Sequence, residues 1–139
     1  MLKIQEFDPK YLTNIIEIIK DVGIYDETWD SEENILSMVK NNKESIFLAL
    51  IDSEVAGLIQ IVPYGQKVSW FFRLIVKKNF RRKGVASLLL KKAESIQRKN
   101  LKKEVGLYVS LGNQKLIDFY KKRGYKTSNR QWLYMWKKI

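Results

Sequence analysis

Six consecutive residues, Arg81-Arg82-Lys83-Gly84-Val85-Ala86, follow the apolar stretch Leu74-Ile75-Val76 after a short loop and open a long helical pattern. A strand that turns into a helix points the unpaired amides of the first helical turn outward. Those amides, with the positive end of the helix dipole, hold phosphate oxygens. Gly84 and Ala86 let a pyrophosphate approach the backbone. The stretch has no Gly-Lys-Ser/Thr and no GxGxxG, so it is neither a P-loop nor a dinucleotide fingerprint. Standing alone, Arg-x-x-Gly-x-Ala reads either as an anion site or as an ordinary helix start. The residue types that are missing narrow the chemistry further. The 139 residues contain no Cys and no His, which excludes a disulfide framework, a thiolate nucleophile, a Ser-His-Asp hydrolase and a zinc enzyme. No metal site is expected.

Charge points the same way. Lys and Arg number 26 against 15 Asp and Glu, a net +11, which favours an anionic partner: nucleic acid, a phosphorylated cofactor or an acidic membrane. The excess is segregated. Residues 1–52 hold 5 basic and 11 acidic side chains, net −6, whereas residues 77–103 hold 11 basic side chains against Glu94 alone, net +10. Such asymmetry fits one face that meets an anion and another that meets a cation, and it also fits a solvated surface. No apolar run approaches the roughly 18 residues of a membrane span, and MLKIQEFDPKYL lacks the apolar core of a signal peptide. The expectation is a soluble cytoplasmic protein with no membrane partner.

The elements that must position the basic loop are legible from periodicity. The length, the absence of repeats or linkers, and prolines only at Pro9 and Pro63 predict one domain over 1–139. Leu2 and Ile4 mark a strand; Leu12, Ile15, Ile16 and Ile19 mark a helix ending near Gly23. Beyond the acidic stretch from Asp26 to Glu33, Ile35, Leu36 and Val39 mark a second helix, capped by Asp30 or Ser31 with Glu33 completing a capping box. Ser45 to Ile51 and Val55 to Val62 read as antiparallel strands about an Asp52-Ser53 turn. Pro63-Tyr64-Gly65 is a second turn, and alternation from Val68 to Val76 predicts a long strand central to the sheet.

The next helix buries Val85, Leu88, Leu89, Ala93 and Ile96 and exposes Lys91, Lys92, Ser95, Arg98 and Lys99. Val105, Leu107 and Val109 read as a strand, and Leu116, Ile117, Phe119 and Tyr120 as a short helix capped by Asn113 and closed by Gly124. Gln131 to Trp136 is the last strand. Trp132, Tyr134 and Trp136 share one of its faces and Leu133 and Met135 the other, which fits a covered edge or a homodimer contact. The predicted fold class is α/β with a mixed sheet, in the order β-α-α-β-β-β-α-β-α-β-β.

Two blocks together resemble the GNAT superfamily of acetyl-CoA-dependent N-acetyltransferases. Arg81, Gly84 and Ala86 match its phosphate-loop pattern. Asn113, Phe119-Tyr120 and Gly124-Tyr125 are similar to its second signature, at the family's spacing from the first. The resemblance covers about Ser45 to Tyr125. It implies the GNAT fold with acetyl-CoA as cofactor: the pyrophosphate on the amides of Arg82, Lys83, Gly84, Val85 and Ala86, and the pantetheine arm paired with the main chain of Leu74, Ile75 and Val76. It further implies that Asn113 contacts that arm or holds the loop after its strand, and that Tyr120 is the general acid for the departing thiolate. A phenol near pKa 10 is chemically suited to donate to a thiolate near 8.5; core packing beside Phe119 is the plainer use of the same residue.

The sequence departs from the family at the base. Many members carry a Glu on the long strand, where Phe72 and Arg73 stand here, and no carboxylate lies between Glu54 and Glu94. Freeing an alkyl ammonium of pKa near 10.4 at pH 7 costs about 4–5 kcal/mol, so water or the acidic loop must take the proton. Since the resemblance places the loop between the first two helices at the acceptor site, Asp26, Glu27 and Asp30 are candidates to attract a cationic amine; capping is their alternative use. The functional expectation is transfer of acetyl from acetyl-CoA to a primary amine, small or protein-borne, by direct attack. The alternatives are a basic module bound to nucleic acid or the ribosome, and a catalytically degenerate CoA-binding sensor.

Overall fold

The computed structural model describes residues 1–139. The chain groups into two compact units, residues 1–107 and 108–139, each described by itself.

The first unit runs β1 (Leu2–Glu6), a 3-10 turn (Pro9–Tyr11), α1 (Leu12–Asp21), α2 (Glu32–Asn41), β2 (Ile46–Ile51), β3 (Glu54–Tyr64), β4 (Val68–Val76), a second 3-10 turn (Lys78–Phe80), α3 (Val85–Lys99) and β5 (Glu104–Gly106). Its one sheet has the order β1-β2-β3-β4-β5. Every neighbouring pair is antiparallel except β4 and β5, which α3 joins as the crossover that parallel strands require.

The strand Ile-Phe-Leu-Ala-Leu-Ile of β2 is apolar throughout because both of its faces are covered. Ile46, Leu48 and Leu50 join Leu58 and Ile75, with Ile15, Ile18 and Ile19 of α1 and Ile35 of α2, in one core. Phe47 and Gly57 turn to α3 instead: the Lys92 ammonium lies 5.7 Å from the Phe47 ring centroid, and a Cβ on Gly57 would stand 3.3 Å from Leu89. Asp52 and Ser53 have φ of 49° and 67°, the two left-handed residues of a tight hairpin. At the end of α1 the Gly23 N–H returns to the Lys20 carbonyl at 3.0 Å.

Several expectations are corrected. Pro63 and Tyr64 belong to β3, paired with Ser69 and Val68, so the turn starts at Gly65. The middle strand is β3; β4 is interior only where β5 flanks it. Leu88 is exposed and Leu90 buried, a rotation of the apolar face of α3 by one position. β5 ends at Gly106, leaving Leu107 and Val109 outside the ladder. Here the Trp70 ring occupies the space a side chain would need, since a Cβ on Gly106 would come within 2.8 Å of it.

In the second unit α4 (Gln114–Lys121) is the one regular element. The Asn113 side chain accepts from the Leu116 N–H at 3.2 Å, and Gly124 (φ 90°) closes the helix. Neither of the two strands expected after α4 forms. Gln131 to Trp136 forms no ladder, and its apolar residues face solvent, Leu133 at 90% exposure. Alternation defines a face, but a strand also needs a partner's N–H and C=O groups, and no residue of this segment is paired in a ladder.

Candidate functional site

A gap in the sheet leads into the basic loop. β4 and β5 pair only at Val68 with Glu104, Ser69 with Val105 and Trp70 with Gly106. Past Trp70 the edge of β4 away from β3 therefore has no strand partner. The opposite edge carries a bulge: Leu58 pairs with Ile75 and Gln60 with Phe72, so Arg73 and Leu74 face the single residue Ile59. Arg73 sits there at φ 53°, a conformation that costs a non-glycine residue about 1–2 kcal/mol. Bulges sharpen local twist, and this one lies at the root of the expected donor segment Leu74-Ile75-Val76. The Val76 carbonyl is already engaged, accepting from Arg81 Nε at 3.0 Å.

At the start of α3, Arg82 (φ 64°) and Gly84 (φ 78°) are both left-handed. Gly84 is the N-cap and offers no side chain to the first-turn amides, so those of Val85 and Ala86 are open to an external acceptor. A Cβ at Gly84 would meet nothing within 4 Å. Arg81 turns toward a neighbouring cleft of about 590 Å³, shared with Asp21, Val22, Lys77, Lys78 and Asn79. Lys83 lies 5.7 Å from the Phe80 ring centroid. Open backbone donors and the cationic side chains of Arg81, Arg82 and Lys83 follow one another at this end of the sheet.

The loop between α1 and α2 is built from side chains. Asp26 Oδ1 accepts from the Thr28 and Trp29 N–H groups at 2.8 and 3.1 Å. Glu27 is exposed and accepts from the Tyr25 hydroxyl at 3.0 Å; desolvation and then this carboxylate push the Tyr25 phenol up from its ordinary pKa. Asp30 corrects the expectation placed on it. It is 1% exposed, and Arg73 Nε and Nη2 donate to its two oxygens at 3.0 and 2.8 Å, so it is not available to attract an amine. The capping box is corrected too. Ser31 caps α2, which puts Asn34 rather than Glu33 at the third helical position, and Asn34 Nδ2 donates to the Trp29 carbonyl at 2.7 Å.

In the second unit Tyr120 is 8% exposed, and burial pushes its phenol up to about 12. Its ring meets Phe119 and Tyr125 edge-on, at centroid distances of 5.2 and 5.4 Å. Asn113 serves as the cap described above. Of the residues singled out, Leu74, Ile75, Val76, Arg81, Arg82, Lys83, Gly84, Val85 and Ala86 follow one another along one end of the sheet. Asp26, Glu27 and Asp30 share one loop.

Sequence reasoning missed what Arg73 does, although a lone arginine in an otherwise uncharged strand signalled it. Gln60 was also passed over: it is buried opposite Phe72, and its Nε2 has no hydrogen-bond partner.

Comparison with known proteins agrees with this fold. The model of the acetyltransferase (GNAT) family matches residues 12–125. The spermidine N(1)-acetyltransferase of Thermoplasma acidophilum is 28% identical over 146 residues, covering 92% of this chain and 90% of the relative. The crystal structure of the PaiA N-acetyltransferase from Thermoplasma acidophilum, in complex with coenzyme A, superposes with a TM-score of 0.83 at 25% identity, covering 94% of this chain and 93% of that one. Ard1 from Thermoplasma volcanium gives a TM-score of 0.81 at 27% identity, covering 91% and 84%.

Proposed function

This chain belongs to the acetyltransferase (GNAT) family, an enzyme that moves acetyl from acetyl-CoA to an amine, and on that premise we propose that its acceptor is a small aliphatic polyamine of the spermidine type. The observation that carries the donor side is the unpartnered edge of β4 running into the glycine-led start of α3. These residues fit the cofactor: an open strand edge suits an arm rich in amides, and uncapped helical amides suit a pyrophosphate. When bound, acetyl-CoA supplies an activated thioester carbonyl. The +10 segment then serves the phosphates of the cofactor rather than nucleic acid.

On this reading Leu74 and Ile75 align the arm, and the amides from Arg82 to Ala86 hold the pyrophosphate. Tyr120 keeps its proton at every physiological pH, because burial raises it to about 12. It therefore serves as a standing hydrogen-bond donor for the departing sulfur. Complete transfer to an ordinary thiolate near 8.5 is uphill by about 5 kcal/mol, so the phenol stabilises charge first and yields its proton as the sulfur is desolvated. No carboxylate stands on β4, and Asp30 is committed to Arg73. The amine loses its proton to water before attack.

Support for the polyamine comes from the relative that carries spermidine in its name and from the acidic loop, where Glu27 is exposed and Glu32 and Glu33 open α2. The test is a comparison of spermidine, spermine, a lysine peptide and a peptide with a free N-terminus as acceptors. A kcat/KM for spermidine at least tenfold above both peptides supports the reading; a peptide that outperforms it overturns the polyamine assignment. A thermal shift with CoA and no turnover on any amine would move the chain to the sensor class.

A further inference from the structure

The Asp30–Arg73 pair joins residues 43 apart in sequence. It connects the loop between α1 and α2 to the one irregular point of β4. On the loop side the Asp30 carboxylate also accepts from the Asp26 N–H at 2.9 Å, while the Asp30 N–H donates to the Asp26 carbonyl at 2.7 Å. On the strand side Arg73 is the left-handed bulge residue described above. The Trp29 ring lies 5.8 Å from the Arg73 guanidinium carbon and meets the Phe72 ring edge-on at 6.3 Å. Two hydrogen bonds, a ring contact and an internally closed loop converge where β4 changes register.

We propose that Asp30 and Arg73 form a positioning pair that fixes the loop against the β4 bulge, so that Trp29 and Phe72 make a wall for the acceptor's hydrocarbon chain beside exposed Glu27. This inference rests on the polyamine reading. A fork-on-carboxylate pair fixes both distance and orientation, which a single ammonium does not. A lone buried carboxylate is strongly unfavourable, so the loop keeps this seat only while the guanidinium is present. The strained φ of Arg73 fits the same role, since strain of this kind persists where surrounding contacts over-determine it. The pair touches no reacting atom. Its effect is on where the amine sits.

The experiment uses the full chain, with steady-state kinetics for spermidine and acetyl-CoA and hydrogen exchange of the amides of residues 26–30. Arg73→Lys keeps the charge and loses the fork; Asp30→Asn with Arg73→Gln removes both charges together. For Arg73→Lys the expected result is a KM for spermidine raised about tenfold, a KM for acetyl-CoA within twofold of the parent, kcat within threefold, and at least tenfold faster exchange at residues 26–30. Arg73→Gln alone is expected to be worse than the double variant, because it strands the Asp30 carboxylate.

Equal changes in both KM values, or unchanged exchange and spermidine KM despite a lowered Tm, would overturn the proposal and leave the pair as structural support only. If Arg73→Gln does not fold, Arg73→Lys and the double variant decide alone. If the parent does not acetylate spermidine, the polyamine reading fails; the exchange arm then still reports whether the pair holds the loop.

Discussion

The two ends of the proposed binding surface are made of different materials. At the start of α3 the donors are backbone amides, presented by a left-handed glycine with no side chain to cap them. In the loop between α1 and α2 the geometry is set by Asp26, Asp30, Asn34 and Arg73, each holding a particular partner. A backbone site depends on where the chain can bend, so it tolerates exchange of most neighbouring side chains. A side-chain site depends on the identity of each member. The first should break through one glycine, the second through any member of its network.

The largest expected effect follows at the backbone site. Gly84→Glu places a β-carbon at φ 78°, a strain of about 1–2 kcal/mol, but into open space, so the fold should survive. Its carboxylate then stands over the amides that would receive phosphate. The stabilisation of about 2.7 kcal/mol that CoA gives at 100 times its Kd, read as a rise in Tm, should disappear, while Gly84→Ala retains most of it. If Gly84→Glu still binds CoA at the parent concentration, the helix start is not the phosphate site and the contrast collapses.

Tyr120→Phe should separate binding from chemistry. We expect kcat to fall about a hundredfold, at the lower end of general-acid effects, with both KM values within twofold. An unchanged kcat removes Tyr120 from the reaction. The pH profile of the parent gives the sign. With the phenol pushed up to about 12, it stays protonated from pH 7 to 9 and its ionisation does not lower activity over that range. Deprotonation of an amine of pKa near 10.4 gives kcat/KM a rise of about tenfold per pH unit from 7 to 9. A fall above pH 9 would mean that another group, or a less shielded Tyr120, controls the rate.

How much of this was legible in the sequence tracks the same division. The order from β1 to α4 came from hydrophobic period and turn chemistry, both of which are local: Gly84 and Asn113 were recognised as helix starts, Asp52-Ser53 as a hairpin. The glycine-led start of α3 was legible because a backbone feature of this kind is encoded by one glycine at one spacing. Asp30 was misread for the opposite reason. An acidic residue beside a helix start resembles a cap or an exposed charge, and nothing local reveals a guanidinium 43 residues away. The short β5 and the unpaired Gln131 to Trp136 were misread alike, since alternation reports which face is apolar and not whether a partner strand is present. Trp70 over Gly106 is a contact of the same non-local kind.

On the acceptor side Glu27→Gln should be milder than either change above. The carboxylate is exposed, and a solvated charge attracts an ammonium by about 1 kcal/mol or less, so KM for spermidine should rise two- to fivefold at low salt. The difference should narrow at higher ionic strength as screening shortens the reach of the charge. A salt-independent effect would mean that Glu27 makes a direct, desolvated contact.

Ser31→Ala is the smallest change and asks what organises the acceptor loop. Ser31 accepts from the Asn34 N–H at 3.3 Å, a long bond at an exposed position. Removing an N-cap costs about 1 kcal/mol, which for a chain of this length lowers Tm by roughly 3–5 °C; Ser31→Gly should cost only a few tenths of that energy. Ser31 directly follows Asp30, so the cap and the ion pair hold adjacent points of one segment. If the Arg73 fork sets the loop, loss of the cap frays the first turn of α2 and leaves KM for spermidine within twofold, while Arg73→Lys raises it tenfold. If Ser31→Ala instead raises that KM as much as Arg73→Lys does, the loop is organised from the helix end, and the acceptor side depends on a local backbone feature as the donor side does.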